Sequence, residues 1–219
     1  YIALWAYIYS YFWAFTSIQI AFVGLPMALA PLLLPRVMAR ITAGREKKTV
    51  ATMGLMCAMA TNIVPITLSL LGFFPERGSD ALFYTMLTIG FFETIFLLMF
   101  EVSWRSMITD LTERIELNTG RRNEGVIAST IIFSTKCANA LGTLIAGVLL
   151  TLIMFPTETS VEDVPLETIG DLGLIYGTVV FFIWVGVILC LRLYDISRAS
   201  HEEILKQLAE NKSTQASPE

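Results

Sequence analysis

Apolar residues in this chain come in long blocks rather than in alternation, over approximately 1–14, 18–39, 49–74, 81–109, 125–155 and 170–191. A membrane-crossing helix requires roughly 20 mostly apolar residues, and the last five blocks reach that length. The first is too short to cross alone and reads as a truncated helix. Polar breaks with turn chemistry separate the blocks: "AFTSIQ", "AGREKK", "FPERGSD", "MITDLTERIELNTGRRNEG" and "PTETSVEDVPLETIGD". The pattern predicts an all-α integral membrane fold with five complete crossings and one partial.

Composition supports this reading, with 55% hydrophobic and 16% charged residues. The chain starts at Tyr1 inside an apolar run, so it reads as a piece of something longer, without a signal-peptide pattern. Sidedness can be tested on the basic residues, because successive breaks lie on opposite faces of the bilayer. Arg36, Arg40, Arg45, Lys47, Lys48, Arg105, Arg114, Arg121, Arg122, Arg192, Arg198, Lys206 and Lys212, 13 of the 15 Lys and Arg, fall on one side. Only Arg77 falls on the other, and Lys136 lies inside a block. The basic side is therefore expected to be cytoplasmic, together with the C-terminus, and the acidic loop from Glu158 to Glu167 to face outward. The expected organisation is a transmembrane bundle over 1–192 and a cytoplasmic tail over 193–219. Within the tail, Ser200 and Glu203 have capping-box spacing ahead of a short helix, followed by a disordered "STQASPE"; so polar a terminus reads first as a solvated tail.

A charge at membrane depth costs about 2.5–3.5 kcal/mol on insertion scales and calls for a partner or an aqueous cavity. Glu101 and Arg105 are spaced for an ion pair across one helical turn near the basic end. Lys136 lies about eleven residues, roughly 16 Å of helix rise, from the basic end of its segment. Ser129, Asn139, Ala140 and Thr143 share its face. Roughly opposite, Ser134, Ala138, Gly142 and Ala146 form a stripe of small residues suited to close helix packing. One face is thus expected to pack and the other to border a water-filled cavity. Glu93, in "FFETIF", lies some five residues deeper than Lys136, roughly 7 Å, and is a candidate partner for it. Phe100 and Trp104 follow Glu93 on nearly the same face. Pro26, Pro31, Pro35 and Pro65 fall in apolar segments, where prolines bend helices.

Cys57, Cys137 and Cys190 lack metal-ligand or redox spacing and read as buried free thiols. The chain carries no H-E-x-x-H, no G-x-S-x-G and no phosphate loop, and its single histidine, His201, lies in the tail. An intramembrane enzyme is disfavoured, no cofactor or metal site is expected, and nucleic acid is not an expected partner.

Residues 110–150, "DLTERIELNTGRRNEGVIASTIIFSTKCANALGTLIAGVLL", resemble the corresponding region of the glycoside-pentoside-hexuronide:cation symporters, the melibiose permease family of the major facilitator superfamily. The family's pattern is an Asp opening the loop after the tenth helix, an acidic pair, a basic residue and a Glu, then a lysine on the eleventh helix. Asp110, Glu113, Glu116, Arg122, Glu124 and Lys136 stand at those positions, and "LLLPRVMARITAGREKKTV" is similar to the link between helices eight and nine. The family commonly has an aromatic and a glycine between its acids, where this chain has Arg114 and Ile115. The resemblance implies a C-terminal six-helix bundle, with part of helix seven and helices eight to twelve, in a multi-pass protein of the inner or plasma membrane. It implies cation-coupled symport of a glycoside or related sugar by alternating access, with membrane lipid and an N-terminal half of the same transporter as partners. The coupling cation, Na+ or H+, would be bound mainly by that other half. Lys136, Asn139, Thr143, Glu93 and Trp104 would face the substrate cavity, and Asp110, Glu113, Glu116, Arg121, Arg122 and Glu124 would form a cytoplasmic gate. Transport of a non-sugar solute or lipid, or a membrane interaction role without transport, are the alternative readings.

Overall fold

The computed structural model describes residues 2–121, 123–156 and 164–215, without the side chains of residues 2, 3 and 211–215. Among these residues all the regular secondary structure is helical, with no strand. Helix α1 (Ile2–Tyr7) runs into a π-helical turn at Ile8–Phe12, followed by α2 (Ser17–Phe22), α3 (Leu25–Ile41), α4 (Lys47–Leu70), α5 (Asp80–Thr119), α6 (Glu124–Leu152), α7 (Leu166–Leu191) and α8 (Arg198–Gln215). Among the described residues, five stretches are long and apolar enough to cross a membrane, α2 with α3 counting as one. The protein is a multi-pass integral membrane protein.

Local chemistry explains several boundaries. Thr16 and Gln19 cap α2 reciprocally, the Thr16 hydroxyl accepting from Gln19 N–H and the Gln19 Oε1 from Thr16 N–H. The expected single segment over 18–39 breaks at Val23 and Gly24, where Pro26 opens α3. Pro31, Pro35 and Pro65 are carried inside helices, and α3 continues past Pro35 to Ile41.

The largest difference from the expected layout is the charged stretch after residue 109. It is helical to Thr119 and ends at Gly120, which adopts the left-handed conformation (φ 65°) that glycine tolerates. No glycine or proline interrupts residues 91–119, so nothing in the sequence stops the helix earlier. At 40 residues, α5 is about 60 Å long against roughly 30 Å of hydrocarbon, and its charged half projects beyond the apolar layer.

The main core joins the first turns to α4, α5 and α7, with Trp13, Phe12, Leu82, Leu172, Tyr176 and Val180 almost completely covered. The α4 and α5 backbones approach closely at Gly54, where a Cβ would lie 2.8 Å from the Phe96 carbonyl oxygen. Gly173 on α7 similarly seats the Phe12 ring, whose edge would collide with any side chain there. Exchange of Gly173 for valine is expected to cost about 1–3 kcal/mol by overpacking, read as a lower unfolding midpoint.

Helix α6 stands apart: Ala146 and Leu150 are its only buried residues, and its recorded packing is against α1. Of its small-residue stripe, Ala146 is buried, whereas Ser134 and Ala138 are exposed and Gly142 is half-buried. The expected packed face therefore has no partner among the described residues over most of its length. The three thiols are exposed rather than buried, because a membrane bundle turns apolar side chains outward as well as inward.

The tail also departs from the solvated reading. Its helix starts at Arg198 rather than at Ser200; the Ser197 hydroxyl accepts from Ser200 N–H, and the Ser197 carbonyl from His201 N–H. Ile204 and Leu208 bury against Ile196, beside Leu117 and Tyr194. Ser213–Gln215 belong to the helix, and the remainder of "STQASPE" lies outside the described residues.

Candidate functional site

The basic end of the bundle is tied together by a polar network among α4, α5, α8 and the segment after α7. Asp110, 3% exposed, is the centre. The Lys47 ammonium lies 2.7 and 2.8 Å from its two oxygens, and the Tyr194 hydroxyl donates to it at 2.8 Å. Burial, and then the Asp110 carboxylate, hold the Tyr194 phenol above its ordinary pKa, which keeps it a donor. His201 Nε2 sits 2.6 Å from Glu113 and 3.3 Å from Asp110. Arg114 pairs with Asp195 at 2.7 Å, which lowers the pKa of that carboxyl. Lys48 donates to the carbonyls of Arg192 and Tyr194, and Glu46 accepts from Arg198 N–H. Asp110, Glu113 and His201 bring their ligand atoms within 4.8 Å of one another, but the Lys47 ammonium already supplies the countercharge at Asp110.

Of the expected gate residues, Asp110 and Glu113 are thus engaged within this chain. Glu116 lies half-buried on the same extension, Arg121 is exposed beside the Gly120 turn, and Glu124 is in the first turn of α6. Arg122 lies outside the described residues, as do Glu158, Glu162 and Asp163 of the acidic loop. The Glu101–Arg105 ion pair forms at 2.6 Å on an exposed face. Next to it, Trp104 is 40% exposed and stacks on Phe100 with ring centroids 6.5 Å apart.

The structure does not bring Glu93 and Lys136 together. Lys136, Asn139 and Thr143 lie on the exposed face of α6, where Lys136 makes no hydrogen bond or ion pair among the described residues. Glu93 instead points toward α4, accepting from Asn62 Nδ2 at 3.1 Å. The physical reason is packing: α5 rests on α4 along much of its length, and α6 makes no comparable contact with α5.

Sequence patterns missed Lys47, Asn62, Tyr194, Asp195 and His201. One signal was present. Two lysines in the first turn of α4 oppose the helix dipole, which calls for an outside carboxylate. Nothing local identified Asp110 as that partner, 63 residues away.

The sequence pattern of the family described as MFS/sugar transport protein matches residues 1–198. The chain belongs to that family. Two curated relatives of this transporter family member align over half of it: "Putative glycoside/cation symporter YagG" of Escherichia coli (strain K12), 28% identical over 109 residues, and "Uncharacterized symporter sll1374" of Synechocystis sp., 34% identical over 111 residues. The alignments cover 50% and 49% of the chain, and 23% and 20% of the respective relatives. The aligned part is thus under a quarter of either relative's length. No solved structure gives a significant match.

Proposed function

We propose that the full-length protein is a secondary active symporter for a glycoside or related sugar, coupled to a Na+ or H+ gradient and working by alternating access. This chain supplies its C-terminal bundle over 1–192, part of helix seven and helices eight to twelve, with residues 193–219 as a cytoplasmic tail. The family match and the relatives' names support the reading. The observation that carries it is Lys136, an ammonium midway along an apolar span whose polar face is left uncovered by the described residues. A charge there calls for a hydrated cavity or a partner bundle, and an N-terminal half docked on α6 would provide both. The coupling cation would be held mainly in that half, in a bacterial-type inner membrane.

Uptake of labelled sugar by the full-length protein, driven by an imposed cation gradient, tests this. Lys136→Ala is expected to lower uptake at least about tenfold, equivalent to about 1.4 kcal/mol of lost stabilisation. Lys136→Arg should retain more of it, because the charge remains. Failure of every sugar tried to stimulate cation flux would overturn the assignment.

The charged extension of α5 would be the cytoplasmic gate, its acids exchanging partners as the halves rock. Exposed ion pairs such as Arg114–Asp195 contribute only about 0–1 kcal/mol each and can exchange readily, whereas the buried Asp110 would stay the anchor of the gate. Glu113→Gln, and separately Arg122→Gln, should change the transport rate and the balance of inward and outward conformations, measured by distance labels across the gate. Unchanged rate and populations would leave the stretch a static link.

A further inference from the structure

A second polar cluster lies inside the bundle, away from the basic end and from α6. Asn62 and Glu93 line a cavity of about 10 Å³ together with Tyr9, Thr61 and Tyr176, its other walls being Ile8, Trp13, Ile66 and Met86. That volume is room for roughly one water-sized guest. The Asn62 amide donates to Glu93, while its carbonyl oxygen Oδ1 is buried with no hydrogen-bond partner. A buried carbonyl left without a donor is costly, and a guest carrying positive charge would offset that cost. Thr61 spends its hydroxyl proton on the carbonyls of Cys57 and Ala58, so its oxygen lone pairs remain available.

We propose that this cavity binds one monovalent cation, Na+ or a proton, within the C-terminal half of the transporter. The inference goes beyond the symport reading above, which places the coupling cation in the other half. The donor chemistry fits the guest. Five side chains bearing oxygen surround the space, no basic side chain lines it, and one carboxylate matches one positive charge. A divalent ion would need more carboxylates and six or more oxygens. Both forms of Glu93 can be served by Asn62: its NH2 donates to the carboxylate, and the amide turned over accepts from the protonated acid. The wall is built by four different elements, with Tyr9 on the π-helical turn, Thr61 and Asn62 on α4, Glu93 on α5 and Tyr176 on α7. A cation there would tie these helices together. π turns are often found at functional sites.

The test is cation binding to purified full-length protein, which requires neither sugar nor flux and so is independent of the transport reading. Radioactive Na+ bound per chain is counted at equilibrium, and proton uptake and release are followed with a pH indicator over the same range. Glu93→Gln is expected to lose one Na+ equivalent per chain, or one titrating proton with the Na+ count unchanged; the arm that changes names the ion. Asn62→Asp keeps an acceptor oxygen and adds a charge, so it should tighten binding at least tenfold even if Asn62→Leu fails to fold. Na+ stoichiometry, affinity and proton titration all like those of the unmodified protein in Glu93→Gln and Asn62→Asp would overturn the proposal and leave the cavity to water.

Discussion

Asp110→Ala is expected to destabilise the full-length protein by about 2–3 kcal/mol, read as a lower midpoint of thermal unfolding in detergent. The carboxylate is buried and engages Lys47 through both oxygens as well as the Tyr194 hydroxyl. Its removal leaves an ammonium and a phenol without their acceptor. Breaking a fully buried pair costs about 3–5 kcal/mol, and the lower figure applies because the Lys47 side chain is 39% exposed and water can reach it. Lys47→Met combined with Asp110→Leu should be milder than Asp110→Ala alone, since no charge is then stranded. Strictly additive effects of Lys47→Met and Asp110→Leu, each measured alone and then together, would mean that the short contact carries no coupling. The same change should loosen α8, because Asp110 stands between Lys47 on α4 and His201 on the tail helix. Faster proteolysis after Arg198 would report that release.

Gly54→Leu should have the second large effect, about 3 kcal/mol or more, with failure to accumulate in the membrane as the coarse readout. At this point α4 and α5 are in backbone contact, and an added Cβ meets the Phe96 carbonyl at 2.8 Å, the Phe100 nitrogen at 3.1 Å and the Met99 Cβ at 3.2 Å. Two of those three atoms are backbone and cannot rotate aside. The helices would have to separate, opening the contacts of Val50, Ile95 and Met99 that hold α3 to the pair. Overpacking of this kind typically costs about 1–3 kcal/mol, and a leucine lies at the upper end. Gly142→Leu on α6 is the contrast, since nothing among the described residues lies within 4 Å of a Cβ there. Its effect should be small on the stability of this bundle and larger on any function that needs the other half docked against α6.

Much of the architecture was legible because span length and block pattern depend on local composition. Residues 125–155 were expected to form a helix, and α6 runs from Glu124 to Leu152. The charged stretch after residue 109 was less legible. Polarity was read as a loop, yet the run from Leu111 to Thr119 contains no breaker, and Glu113 and Arg114 sit half-buried on the helix beside His201 and Asp195. The tail was misjudged for a related reason: Ile204 and Leu208 make a modest stripe, and only a surface formed by Leu117, Tyr194 and Ile196 makes them a docking face.

The chain's own sequence determined that it crosses a membrane repeatedly, that its basic residues gather at one end, and that Lys136 stands alone in an apolar span. These are one-dimensional properties, set by the thickness of the hydrocarbon and the cost of charge within it. Tertiary structure alone decided which acid meets which base. Glu93 faces Asn62 across the α4–α5 contact rather than Lys136, and Asp110 finds Lys47 and Tyr194, because helix packing brings together residues far apart in the chain.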